Sequence, residues 1–184
     1  GNGNNATQAT TADQPKIVST GVVNTVNGKP CISWEDSGGG SGSDNLSLAT
    51  RLTGVISVFE VLKLESDITT NNTSFLLGDS TNYDYHVGNG TWLGGDAAAV
   101  VRNGSNRLNN VATNLTTTTR TGDQTLISMI HTGAAVVSQL TQDRTLTNRS
   151  LRGSMQELIL YSSSQTANVA GINADINLHY SIYA

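Results

Sequence analysis

The chain has 184 residues, a formal net charge of −4 and only 13% charged residues, a balance that gives no basic surface for gripping a nucleic-acid backbone. Its single cysteine, Cys31, excludes an intrachain disulfide, and no apolar run approaches the roughly 20 residues of a membrane-spanning helix. The length fits one domain with a two-sheet core, read as spanning residues 1–184 with 1–5 as a flexible lead-in.

Residues 15–19 predict a first strand, with Pro15 at its edge, where a missing N–H costs nothing. Asn27-Gly28 predicts a two-residue hairpin turn between strands at 22–26 and 31–34. Cys31, inside the apolar run from Pro30 to Trp34, reads as a small buried hydrophobe. The following Gly/Ser loop, 35–44, has acidic ends and lacks the Gly-Lys-Ser/Thr of a phosphate-binding loop.

Residues 54–65 form the longest β-type run, and the continuously apolar centre Val58-Phe59-Glu60-Val61-Leu62 predicts a central strand. Short β-type segments follow at 75–78, 83–87, 90–93 and 97–102, each bounded by Gly or Asn. A turn is expected at Asn109-Asn110, and the Thr tract 116–119 suits an exposed edge or loop. Residues 124–131 and 134–140, joined at Thr132-Gly133, predict a further hairpin. A last strand at 155–161 gives way to a helix, because Val169, Ile172, Ile176 and Tyr180 recur on one face of a 3.6-residue period.

Asn, Thr, Ser and Gly dominate the remainder, and the arginines from Arg102 to Arg152 are scattered among them as a solvated face. This composition generates Asn-x-Ser/Thr sequons at Asn5, Asn45, Asn71, Asn72, Asn89, Asn103, Asn114 and Asn148, read as unmodified. The chain starts at Gly1 rather than Met, which is read as a fragment, or the ordered part, of a longer polypeptide.

Three stretches together resemble a known family. They are residues 6–10 and 14–17 with Asn27-Gly28-Lys29-Pro30 and Trp34-Glu35-Asp36, the middle segments 56–63 and 75–78, and the closing strand 153–161 with its helix and terminal His179-Tyr180. The pattern is similar to a concanavalin A-like lectin/glucanase domain of the laminin-G-like type. The resemblance implies an all-β fold, a two-sheet antiparallel β-sandwich or jelly roll, with one C-terminal α-helix. It also implies a setting in bacteriophage virion or tail proteins or on a bacterial surface, hence a virion or extracellular location. Lectins, glycan hydrolases and non-binding modules share that fold, so the fold alone selects no function.

Glycosidase chemistry needs two carboxyl groups flanking a cleft. The glucanases of this fold carry an alternating carboxylate array on one strand, and the chain has none. Glu60 and Glu65 are five apart and point to opposite faces, while Glu157 stands alone and reads as a structural carboxylate bonded to a loop. The expectation is therefore no enzyme, with no catalytic residue. His86, His131 and His179 are too dispersed for zinc, and no cofactor is expected. Calcium stays open at Asp36, Asp44, Asp79 and Asp84, whose spacing fits no defined calcium loop.

The candidate ligand-binding residues are Tyr83, Asp84, Tyr85, His86, Asn89 and Trp92, beside Asn82. They concentrate aromatics in a chain that is 5% Phe, Trp and Tyr, and aromatic faces stack on sugar rings while carboxylates and amides fix hydroxyls. The competing reading makes Tyr85 and Trp92 core residues. Two functions follow as expectations. The first is a surface-displayed recognition module binding a surface polysaccharide or other glycan. The second is a decoration, spacer or oligomerisation domain meeting neighbouring virion or fibre subunits. Neither nucleic acid nor membrane insertion is expected.

Overall fold

A computed structural model describes residues 3–34, 44–65, 76–146 and 149–184. The leading segment holds β1 (Ala6–Thr7), a 3-10 turn at Thr11–Asp13, then β2 (Val18–Ser19), β3 (Val22–Val23), β4 (Thr25–Val26), β5 (Lys29–Pro30) and β6 (Ile32–Trp34). The body follows with β7 (Leu46–Leu64), β8 (Leu77–Gly78), α1 (Ala99–Arg102), β9 (Ser105–Leu108), β10 (Val111–Ala112), β11 (Gln124–Leu140), β12 (Gly153–Tyr161) and α2 (Val169–Tyr180). Most of the 35–44 loop (35–43), Phe75, and the sequons at Asn71, Asn72 and Asn148 lie outside the described residues.

The described strands gather in one large antiparallel sheet of order β10-β9-β11-β7-β12-β6, with β1 added to β7 and β8 to β11. Two small ribbons, β2–β3 and β4–β5, lie outside this ladder, and an isolated bridge from Lys16 to Ser33 links the entry of β2 to β6. As expected, β7 is central, paired along its length with β11 and along its second half with β12. A straight strand of its 19 residues reaches about 60 Å. A domain of this size is roughly 40 Å across, so β7 must bend. The β7–β11 ladder carries register shifts between Ile130 and Ala135, Ala135 and Val137, and Val137 and Gln139 on β11, irregularities of the kind that bend a strand. The hairpin expected at Thr132-Gly133 is thus corrected: β11 is one continuous strand through it, with a register shift at that point. A glycine inside alternating sequence marked a bulge here, because β7 is long enough to pair with both halves.

The sheet is covered on both faces. On one, Phe59, Val61, Leu126 and Ile130 meet Val169, Ile176 and Tyr180 of α2, with Ile172 partly buried beside them. The three-four-four apolar spacing therefore faces the sheet as anticipated. On the other, Trp34, Val58, Leu62, Ile127, Met129 and Met155 pack against Tyr85, Val87, Trp92, Leu93 and Leu115 from the segment 76–120.

That segment departs from expectation. Residues 83–87 and 90–93 form turns, with one bridge from Thr91 to Thr119, where strands were predicted. Residues 97–102 yield the helical turn α1, closed by Arg102 N–H donating to Ala98 O at 3.1 Å. Three consecutive alanines favour helix, and the glycines and asparagines around them interrupt any ladder.

Two-residue turns with both φ positive close three ribbons, at Thr20-Gly21, Asn27-Gly28 and Asn109-Asn110. The last two turns were legible, but the strands expected to flank Asn27-Gly28 are corrected: the turn closes β4 on β5, while β3 pairs with β2 and β6 with β12. The first was not, since a β-branched threonine at φ 51° is a poor occupant of that region. At Gly153, φ 147°, an added Cβ would lie 2.2 Å from Lys63 O, so glycine permits the close approach of β12 to β7.

Cys31 is buried, but no residue from 3 to 30 is. The β4–β5 ribbon is tethered to the body: Gln156 Nε2 donates to Val26 O and Lys29 O, and Asn27 Nδ2 donates to Tyr180 O. The β2–β3 ribbon stands out beside it, with Ile17, Val18, Val22 and Val23 exposed.

Candidate functional site

The segment carrying the candidate residues is anchored from its start. Asp79, almost fully buried, receives Arg51 through two 2.8 Å bonds and also accepts from the amides of Thr81 and Asn82. Burial opposes its charge, but the Arg51 guanidinium and the two amides outweigh that and hold the carboxyl far below its usual range. Asp84 is also a tether: its Oδ2 accepts from Val136 N–H of β11 at 2.9 Å, and its carbonyl accepts from Ala98 N–H.

These anchors turn the aromatics in different directions. Tyr85 and Trp92 are each only 1% exposed and belong to the core, which corrects their assignment to a sugar platform. The reason is that the sheet face carrying Val58, Leu62, Ile127 and Met129 has no second sheet among the described residues to cover it, so the loop donates its large rings instead. Tyr85 lies against His131, ring centroids 5.5 Å apart. His86 is buried at the margin, its Nδ1 bonded to Val87 O at 2.7 Å. Asn89 is exposed in the turn that Gly88 N–H closes on Thr91 O.

Tyr83 is the aromatic of this group that reaches solvent, 45% exposed. Its ring meets His86 edge-on at 6.0 Å, and the Arg144 guanidinium lies 4.9 Å over its centroid. Arg144 and Arg149 both pair with the buried Asp143 at 2.9 Å. An open cleft of about 360 Å³ is lined by Asn82, Tyr83, Asp84, Asp96 and Ala98. A larger groove, about 770 Å³, runs where β4 faces the ends of β7 and β12, past Thr25, Lys63, Glu65 and Ser154. The larger one also includes Trp34, which is almost fully buried. The smaller one presents one ring beside two carboxylates.

The carboxylates considered for hydrolysis face three different surroundings. Glu60 lies opposite Ile127 and Leu158 in the core, fully buried, with neither oxygen hydrogen-bonded among the described residues. Burial pushes its carboxyl well above the usual range. Glu157 accepts from the Tyr180 hydroxyl at 2.9 Å, so its structural partner is the helix and not a loop. Glu65 pairs with Arg152 beyond the strand end. Among the described residues no three His, Cys, Asp or Glu side chains converge as metal ligands.

Three buried groups escaped the sequence reading. The first is Glu60, whose burial raises its pKa and whose signal was a lone carboxylate in an apolar central run. The second is Arg120, almost fully buried, its guanidinium lowered by burial to about 10 and its Nη2 donating to Gly88 O at 3.4 Å under the loop. The third is Asn173, which shares the buried face of α2 with the apolar stripe. Among the described residues no helix is long and apolar enough to cross a membrane. Compared with protein-family models, with curated proteins and with solved structures, the chain finds no match.

Proposed function

We propose that the domain is a non-enzymatic structural module of a virus particle or cell surface, whose work is to join neighbouring subunits. The observation that carries this reading is the leading segment. Residues 3–30 contain no buried side chain, yet Ile17, Val18, Val22 and Val23 stand 56%, 49%, 67% and 47% exposed on a ribbon of two-residue strands. Such a ribbon is marginal alone, since ordering each residue costs about 1–2 kcal/mol and its aliphatic surface is not withdrawn from water. A neighbouring subunit covering it supplies the missing burial.

The laminin-G-like jelly roll is kept as part of this proposal. What supports it is that the β7–β11 ladder is interrupted by register shifts, where a long strand can pass from one layer to another, and that Leu52 and Val55 share a core with Val58 and Leu62. The core contribution of the loop rings fits a sandwich whose second layer is short.

Glycan recognition is the second reading, favoured by the cleft where Tyr83 stands beside Asp84 and Asp96. Binding of the isolated protein to a glycan array decides between the two. No retained glycan is the expected result. Retention that Tyr83→Ala abolishes would move the function to recognition.

A further inference from the structure

We infer that β7 from Arg51 to Ile56 is an open sheet edge that receives an extended segment of a neighbouring polypeptide as an added antiparallel strand, an inference that rests on the assembly reading above. One edge of β7 is taken by β11 from Leu46 to Lys63. The other carries two strands with a gap between them: β1 lies opposite Ser47 and Leu48, and β12 opposite Ser57 to Leu64. Among the described residues no strand pairs with 51–56 on that side. Six residues of strand span about 20 Å, an ordinary strand length.

Side chains stop both flanking strands from running into the gap. At one end Asn4 stands in for a strand, its Oδ1 accepting from Thr50 N–H at 2.6 Å and its Nδ2 donating to Thr50 O at 3.0 Å. At the other, the Ser57 hydroxyl donates to Ser163 O and accepts from Gln165 N–H, which turns the chain away after Tyr161. Between these ends lies an open groove of about 430 Å³, lined by Leu52, Gly54 and Val55 of β7 and by Leu160 and Tyr161 of β12. Gly54 is exposed, and a Cβ built on it meets nothing within 4 Å.

The chemistry of the edge selects the occupant. A strand edge presents a row of backbone N–H and C=O groups, and an extended polypeptide offers the complementary row at the same repeat. Both β1 and β12 run antiparallel to β7, so an occupant in their lane enters beside Ser162 and leaves beside Asn4. Leu52, Val55 and Leu160 make the groove apolar, which calls for uncharged aliphatic side chains on the face turned towards it.

The test is amide NMR of the isotope-labelled full chain with the probe peptide acetyl-Lys-Thr-Val-Thr-Val-Thr-Lys-amide at up to millimolar concentration. Resonances of 51–56 should shift, and amides on the open edge should exchange about tenfold more slowly or less. A nitroxide at the N-terminus of the probe should broaden Tyr161 and Ser162 rather than Asn4. The same peptide N-methylated at every residue loses its donors and should not bind. Gly54→Lys carries a charge into the groove and should weaken binding about tenfold or more, with a melting temperature close to that of the parent. If that variant fails to fold, the N-methylated peptide still decides.

Unmoved resonances at 51–56 overturn the inference. So do equal binding of the N-methylated peptide, broadening centred on Asn4, or amides of 51–56 that are all slow to exchange in the free chain. Glycan retention on the array would sink the assembly reading and leave these peptide measurements standing, so the two fail separately.

Discussion

Ser128 Oγ on β11 donates a 2.6 Å hydrogen bond to Asn173 Oδ1 in the middle of α2, and both residues are fully buried. Asn173 Nδ2 in turn donates to Asn110 Oδ1 in the β9–β10 turn, and the Tyr183 hydroxyl donates to Asn173 O. One side chain thus fixes helix, sheet and turn relative to each other. Asn173→Ala should cost about 2–4 kcal/mol, because it opens a cavity and strands Ser128 and Asn110 together. Ser128→Ala should cost less, and the double variant less than the sum of the two. Denaturant melts of the four proteins measure this; strict additivity would show that the bond contributes nothing.

Ile176 lies on the same helix face, buried against the sheet. Ile176→Asp places a charge there and should destabilise by several kcal/mol. An unchanged melting temperature would mean that α2 is not part of the cooperative unit.

Glu60 makes stability depend on pH in a direction opposite to that of a paired carboxylate. Its folded carboxyl holds its proton well above the ordinary value of 4.5, so below 4.5 both folded and unfolded chains are protonated and the group is neutral in effect. As pH rises through 4.5 the unfolded chain releases the proton first, and stability falls by about 1.4 kcal/mol per pH unit until the folded carboxyl also ionises. Glu60→Gln should remove this slope and raise the neutral-pH melting temperature. A variant whose melting curve keeps the parent's pH dependence would show that Glu60 ionises freely in the fold.

Asp79 has the reverse sign. Its carboxyl is held down, so its contribution is complete above its ordinary value of 3.8 and is lost as pH falls below it. Asp79→Ala should cost about 2–3 kcal/mol at neutral pH by stripping Arg51 and the Thr81 and Asn82 amides of their acceptor. The deficit should shrink in strong acid, and a constant deficit would contradict the charged role.

The aromatics of the candidate segment separate by truncation. Trp92→Ala should cost about 3–5 kcal/mol of unfolding free energy, whereas Tyr83→Ala should leave it within about 1 kcal/mol of the parent, as denaturant melts measure. Equal losses would mean that Tyr83 is held in the core like its neighbours.

The amino-acid order by itself determined the features that rest on local repetition. The apolar stripe from Val169 to Tyr180 could only be a helix face, Asn27-Gly28 and Asn109-Asn110 could adopt paired positive φ cheaply, and the run around Phe59 had to be buried on both sides. Tertiary structure decided what depends on partners distant in sequence. Thr132-Gly133 became a bulge because β7 was long enough to pair past it, and Tyr85 and Trp92 turned inward because the sheet face opposite α2 needed large side chains to cover it. Tyr83 stayed outside although it is only two residues from Tyr85, since the tethers at Asp79 and Asp84 fix the direction of the chain between them. Burial is a property of the assembled layers. The same residue types spell a sugar platform or a core, and only the neighbours across the fold choose between them.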